Sequence, residues 1–178
     1  MEKWNVLATA QKRQERHVLR LLNRYGEFKG SGYRDVILGY VADMPAFLET
    51  LESIRRENPG RLRSLGQIVP LERNFQFDVA DFVDKAKEAV SPYIDQLGDS
   101  RFFVRVVRRG HKGEISGMDT EKELDGCILK SLENKGKRAT INIEEFEKMI
   151  ILETVENRAG VGLITKEMKE KYPLVKVK

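Results

Sequence analysis

The sequence is poor in the side chains that bind metals and form cross-links. One cysteine, Cys127, and two histidines, His17 and His111, occur among 178 residues. A single thiol excludes an internal disulfide, and three scattered nitrogen and sulfur ligands cannot build a four-ligand zinc site. No apolar run approaches the roughly 20 residues that a membrane-spanning helix needs. The opening stretch MEKWNVLATAQKRQER lacks the layout of a secretory signal, because its apolar part is short and polar residues follow at once. A reducing, cytoplasmic setting with no membrane partner is therefore expected. Also missing are a glycine-rich dinucleotide or methyl-donor loop after a strand, a CxxC pair and a phosphate loop. The GSG at Gly30–Gly32 is not followed by Gly-Lys-Ser/Thr and reads as a flexible connection. No cofactor is expected, and the chain has no internal repeat or low-complexity tract.

Charge, by contrast, is plentiful. Charged residues make up 34% of the chain and hydrophobic ones 40%, a balance that suits one ordinary domain or two small ones. Lys and Arg number 32 against 28 Asp and Glu, a net of +4. Arg101, Arg105, Arg108, Arg109 and Lys112 fall in one stretch without an acid, so the rest of the chain is close to neutral. A localised basic footprint on a near-neutral body points to a polyanionic partner.

Periodicity divides the chain into two halves. Lys3–Ala10 reads as a strand, followed by a helix with Val18, Leu22 and Tyr25 on one side and Gly26 as its stop. The opposite side carries Arg13, His17, Arg20 and Arg24. Tyr33–Asp43 is a second strand, and Asp43 can cap a helix built on Phe47, Leu48, Leu51 and Ile54 that ends at Asn58-Pro59-Gly60. Leu62–Glu72 then forms an edge-like strand, because Pro70 cannot donate to a ladder. This alternation suggests a ferredoxin-like α+β unit. In the second half Asp78 can cap a long helix from Val79 to Leu97, which Ser91-Pro92 should kink or split, with Ser91 capping the second piece. A strand follows at Ser100–Gly113. Thr120 and Glu123 then form a capping box for a helix on Leu124, Ile128 and Leu132 that stops at Gly136. Strands at Thr140–Ile143, Met149–Val155 and Gly160–Thr165 follow, the last two joined by a hairpin at ENRAG.

The strand SRFFVRVVRRGHKG is the strongest functional candidate. Phe102, Val104 and Val106 share an apolar face, while Phe103, Arg105, Val107 and Arg109 share the other. Both phenylalanines are expected in the core. Gly110 and Gly113 let the chain turn tightly beside Arg108, Arg109, His111 and Lys112. A solvated hairpin end with arginines paired to acidic neighbours is the plain alternative. Against it stand the absence of local acids, the fork shape of guanidinium, and a facing second cluster of Lys135, Lys137 and Arg138. On physical grounds alone the two readings stand level. His111 reads as a loop histidine touching phosphate or water, His17 likewise, and Cys127 as a core thiol. Neither Arg108 nor Arg109 is expected in the core, so replacing both should leave the fold intact. An RNA-processing enzyme using Asp35 or Glu153 with Mg²⁺ is the alternative function, although no spacing supports it.

In order along the second half stand IVPLE from Ile68, an aromatic-led helix from Phe77, FFVRVVRRGHK from Phe102, a capped helix from Asp119, MIILETVENRAGVGLI from Met149 and YPLVKVK at the C-terminus. With these residues the chain resembles THUMP-domain proteins, particularly the stand-alone adaptor type that assists the RNA cytidine acetyltransferase on tRNA. The resemblance covers about the last 110 residues, and the earlier ones fit in pattern the ferredoxin-like domain that precedes THUMP in this family. It implies an N-terminal ferredoxin-like domain over residues 1–74 and a THUMP domain over 75–178, with helices packed on a small mixed sheet. It also implies a tRNA-binding module for the acceptor stem and 3′ end, without catalytic residues of its own. Its partner would be the acetyltransferase or another tRNA-modifying enzyme, the alternative being a THUMP subunit of a different tRNA-modification complex. Binding would fall on Arg105, Arg108, Arg109, His111 and Lys112, with Lys135, Lys137 and Arg138 added. The EEFEK turn departs from the proline-containing turn common in the family, so no RNA contact is expected there.

Overall fold

A computed structural model describes all residues, Met1–Lys178. The chain forms two compact units: Met1–Leu71 with Glu167–Lys178, and Glu72–Lys166. The boundary lies slightly before the expected one. The C-terminal residues, expected with the second unit, return to the first.

The first unit runs β1 (Val6–Ala10), α1 (Glu15–Leu22), β2 (Glu27–Gly30), β3 (Val36–Tyr40), α2 (Met44–Glu57) and β4 (Leu65–Pro70). Its sheet order is β2-β3-β1-β4, antiparallel throughout, the ferredoxin-like β-α-β-β-α-β pattern. β2 was not anticipated from sequence. It is four residues long and buries only Phe28, so no alternation was available to reveal it. Phe28 stacks on Phe47 at 5.8 Å. Its ring lies against Gly39, where a Cβ would sit 2.1 Å from ring carbons, so the glycine makes room for a neighbouring side chain. Asp43 caps α2 as expected, accepting from the Ala46 amide at 2.9 Å. β4 is an edge strand, and the C-terminal segment covers it. The Ile68 amide donates to the Leu174 carbonyl at 2.8 Å, while Tyr172 and Lys171 both bind Glu49.

In the second unit are β5 (Arg73–Gln76), α3 (Phe82–Val90), α4 (Ile94–Leu97), β6 (Arg101–Val107), α5 (Gly117–Asn134), β7 (Thr140–Ile141), β8 (Lys148–Val155) and β9 (Arg158–Thr165). α6 (Lys166–Lys171) follows. The sheet is mixed, in the order β5-β9-β8-β6-β7, with β6 parallel to both neighbours. Phe102, Val104 and Val106 pack with Phe82, Tyr93, Leu124 and Ile128 in one core. The Ser91-Pro92 break splits the helix as expected, but through a 3-10 turn, and Ser91 makes no side-chain cap. α5 starts earlier than the capping box suggested. Ser116 is the cap, accepting from the Asp119 amide at 3.2 Å, and Thr120 is buried one turn inside. Its end matches expectation: Gly136 takes a positive φ of 73°, and the Lys137 amide reaches back to the Leu132 carbonyl at 2.9 Å, a Schellman closure. Cys127 is exposed. It lies one residue off the Leu124–Ile128–Leu132 stripe, a rotation of about 100° that takes it out of the core.

One edge of β6 carries a burden the sequence did not announce. β7 pairs only with Arg101 and Phe102, so the amides of Val104 and Val106 lack a strand on that side. α5 supplies acceptors instead: Asp125 takes the Val104 amide and Glu121 the Val106 amide, each at 2.8 Å. Burial, partly offset by that hydrogen bond, pushes the Asp125 carboxyl up to about 6. The folded chain therefore holds a proton that the unfolded chain releases near pH 4, and this group's stabilisation fades as pH rises from about 4 to about 6. Asp125→Asn keeps an acceptor without a charge. In urea unfolding it should be more stable than wild type at pH 7.5 by up to about 2 kcal/mol, with the difference shrinking toward pH 4. An equal difference at both pH values would contradict this account.

Candidate nucleic-acid interface

β6 delivers the basic run to its own C-terminal end. Beyond Val107 the chain turns through Gly110 (φ 95°), His111 (φ 51°) and Gly113 (φ 83°). A left-handed histidine is uncommon and persists only where its surroundings hold it. Here His111 Nδ1 lies 3.1 Å from Glu114, Nε2 lies 3.1 Å from Asn157, and the ring packs at 5.9 Å from Phe77. The backbone is tied to the β8–β9 hairpin as well, because Arg109 N–H donates to Thr154 Oγ1 at 3.0 Å and Arg109 carbonyl accepts from the Glu156 amide at 3.1 Å. The loop is thus anchored by hydrogen bonds on both sides.

The expectation that the guanidiniums stand clear of carboxylates is corrected for three of them. Arg109 is bonded to Glu153, with side-chain exposures of 10% and 0%. It is an internal group. Arg105 lies over the Phe103 ring at 5.4 Å and reaches Glu121 at 3.4 Å. Arg101 pairs with Glu145 and Glu147 of the EEFEK turn at 3.3 and 3.5 Å. The acids absent from the run arrive from elements 16 to 46 residues away in sequence. Phe103, expected in the core, is buried edge-on to Phe146. What remains at the surface is Lys112, exposed and outside every ion pair, and the half-buried Arg108, whose guanidinium closes onto the Gly110 carbonyl.

The second basic cluster does not join the first. Arg101 pairs with Thr140 across β6 and β7, so Lys135, Lys137 and Arg138 lie near the start of β6, whereas Arg108–Lys112 follow its end. Six steps of extended chain separate the two ends, about 20 Å. Lys135 is paired with Asp95, while Lys137 and Arg138 are exposed. Sequence reasoning missed a different neighbour. A cleft of about 320 Å³ beside His111 is lined by Gln76, Phe77, Asp78, Lys85, Asn157 and Arg158, and Lys85 is paired with Asp81 at 3.0 Å. Because β9 pairs antiparallel with β8 and Gln76 faces Arg158, the topology brings Arg158 to the cleft beside the basic loop, and Lys85 of α3 lines the same cleft. Arg158 directly follows the hairpin turn, and nothing in its local sequence signalled that placement.

Of the two carboxylates considered for Mg²⁺, Glu153 is fully buried on Arg109 and Asp35 belongs to the other unit. No group of three or more potential metal ligands stands together, and no helix is long and apolar enough to cross a membrane.

Residues 77–164 match the THUMP domain. No curated protein matches the sequence. Among solved structures, the chain is similar to TrmN from Thermus thermophilus, with a TM-score of 0.64 at 14% identity over 90% of this chain and 45% of that one. It is also similar to PH1313 from Pyrococcus horikoshii, with a TM-score of 0.58 at 10% identity over 92% of this chain and 55% of that one. A 4-thiouridine synthetase solved in complex with RNA and ATP gives 0.54 at 11% identity, over 91% and 41%. The chain spans about half the length of these proteins, and at such identities the likeness describes the fold.

The partition of the basic run can be measured by stability. Arg109→Ala strands a buried carboxylate and should cost about 3–5 kcal/mol in chemical denaturation. Lys112→Ala, on an exposed side chain, should stay within about 0.5 kcal/mol of wild type. Equal effects would mean that Arg109 is not an internal group.

Proposed function

We propose that this chain is a tRNA-binding adaptor that presents tRNA, by its acceptor stem and 3′ end, to a separate RNA-modifying enzyme. The observation that carries the reading is the THUMP match over residues 77–164, which encloses a rigid loop with Lys112 and Arg108 at its surface. The RNA bound in the structurally similar 4-thiouridine synthetase supports the substrate class. The resemblance in sequence supports a cytidine acetyltransferase as the partner and a cytoplasmic, non-catalytic role for this chain.

In this reading the basic residues divide by role. Lys112 and Arg108 meet phosphate, joined by Arg158 along the neighbouring cleft, while Lys85 stays paired with Asp81. Arg109 and His111 hold the loop in place, and Arg105 ties β6 to α5 through Glu121. Lys137 and Arg138, at the other end of β6, add long-range attraction at most. Guanidinium forks suit phosphate because they offer paired donors in a plane, and a loop ordered before binding loses little entropy on association.

Filter binding of tRNA across salt concentrations tests the assignment. Log affinity should fall linearly with log salt, and Arg108→Ala/Lys112→Ala should reduce the slope by about 1.4–1.8, the share of two phosphate contacts. A double variant with wild-type affinity and slope would remove these residues from the interface. Acetylation of tRNA by the purified partner enzyme, with and without this chain, tests the adaptor role separately; full activity in its absence would overturn it.

A further inference from the structure

The first unit holds a cleft that the tRNA reading does not use. It encloses about 570 Å³ between the β1–α1 loop and the segment leading into β4. Lys12, His17, Arg61 and Arg63 line it above Val18 and Leu21, and no carboxylate does. All four polar groups are exposed. The ion pairs of this unit lie elsewhere, with Arg55 and Arg56 on Glu52 and Lys171 on Glu49, so Lys12, Arg61 and Arg63 keep their charge free for a ligand. The two walls are fastened together, because the Gln11 amide donates to the Ser64 carbonyl at 2.7 Å. One wall is also conformationally unusual. Lys12 and Arg13 are consecutive non-glycine residues with positive φ, 27° and 65°, a state that L side chains adopt only where the surrounding structure imposes it and that clusters at ligand sites.

We propose that this cleft binds a nucleoside 5′-monophosphate group, carried by a free nucleotide or by the 5′ end of an RNA chain. Three features favour a terminal phosphate over an internal one. A monoester carries about −1.5 to −2 at neutral pH against −1 for a diester, which suits a site with two guanidiniums, an ammonium and an imidazole. The volume falls in the range of single small-molecule sites, whereas a continuous backbone needs an open track. Leu21, half-buried, gives a sugar or base an apolar contact among the charged side chains. The cleft lies wholly within the first unit, so free nucleotide can occupy it whether or not the second unit binds tRNA.

The test uses the full chain and three probes: AMP, inorganic phosphate, and two short RNAs identical except for a 5′-phosphate or a 5′-hydroxyl. Binding is read by calorimetry for the small molecules and by fluorescence anisotropy for the RNAs. Preference for the phosphorylated RNA by about tenfold, lost in Arg61→Ala/Arg63→Ala and kept in Arg61→Lys/Arg63→Lys, supports the RNA end as the source. AMP binding above that of inorganic phosphate, lost in the same alanine variant, supports the free nucleotide. Thermal melts of each variant establish that it is folded, and Lys12→Gln serves if the alanine pair is not. Equal affinity for the two RNAs together with no AMP binding overturns the proposal, as does any preference that survives the loss of both arginines. Neither outcome bears on tRNA binding through Arg108 and Lys112, which the salt-slope measurement reads independently.

Discussion

The buried ion pair between Arg109 and Glu153 fixes the end of β6. Glu153 stands in the middle of the apolar sheet with no exposure, and an ionised carboxylate there is tolerable only with a cation placed against it. That requirement locks Arg109 inward. The Thr154 hydroxyl and the Glu156 amide lock its backbone on the same hairpin. Once residue 109 is fixed, Gly110 and His111 must turn in the left-handed region to bring Lys112 out. An interior electrostatic constraint thereby sets the position of a surface cation.

The other edge of β6 obeys the same logic with the charges reversed. A parallel strand with a two-residue neighbour leaves amides that must be satisfied, and α5 provides Glu121 and Asp125 on the turns facing it. Glu121 then does double service by meeting Arg105. Acids on a helix flank usually read as a solvated face. Here they complete a sheet, and Asp125 is desolvated enough in doing so that its ionisation shifts toward neutrality.

These two arrangements explain what the sequence could and could not reveal. Features governed by neighbours in sequence were legible: the apolar face of Phe102, Val104 and Val106, the Asp43 cap, the split at Pro92, the Gly136 stop and the hairpin after Val155, although its turn takes two residues where ENRAG suggested five. The ferredoxin-like order was legible even though β2 was overlooked, because the helices and the longer strands define it. Features governed by partners far along the chain were not. Nothing within a few residues of Arg109 indicates Glu153, 44 residues on, and nothing beside Arg138 shows that β7 pairs with the start of β6 and not its end. Cys127 failed for a smaller reason, since one step around a helix separates a core position from a solvated one.

Counting charges along a sequence therefore overstates what a fold offers to a ligand, and the overstatement has a physical origin. A strand that ends in arginines must satisfy them before it can display them, and the interior takes the ones nearest the sheet. In the second unit the fold keeps Arg105 and Arg109 and leaves Lys112 outside. In the first unit Lys12 sits on the loop after β1, and Arg61 and Arg63 sit in and just after the 3-10 turn beyond α2, with no carboxylate lining the space between them. Cations on such loops have no interior role to fill. Their desolvation cost is small, their repulsion is unrelieved, and an anion entering between them removes that repulsion. The two units thus differ in how many of their cations the interior claims, and the unit with the less conspicuous run of basic sequence leaves more of its cations outside ion pairs.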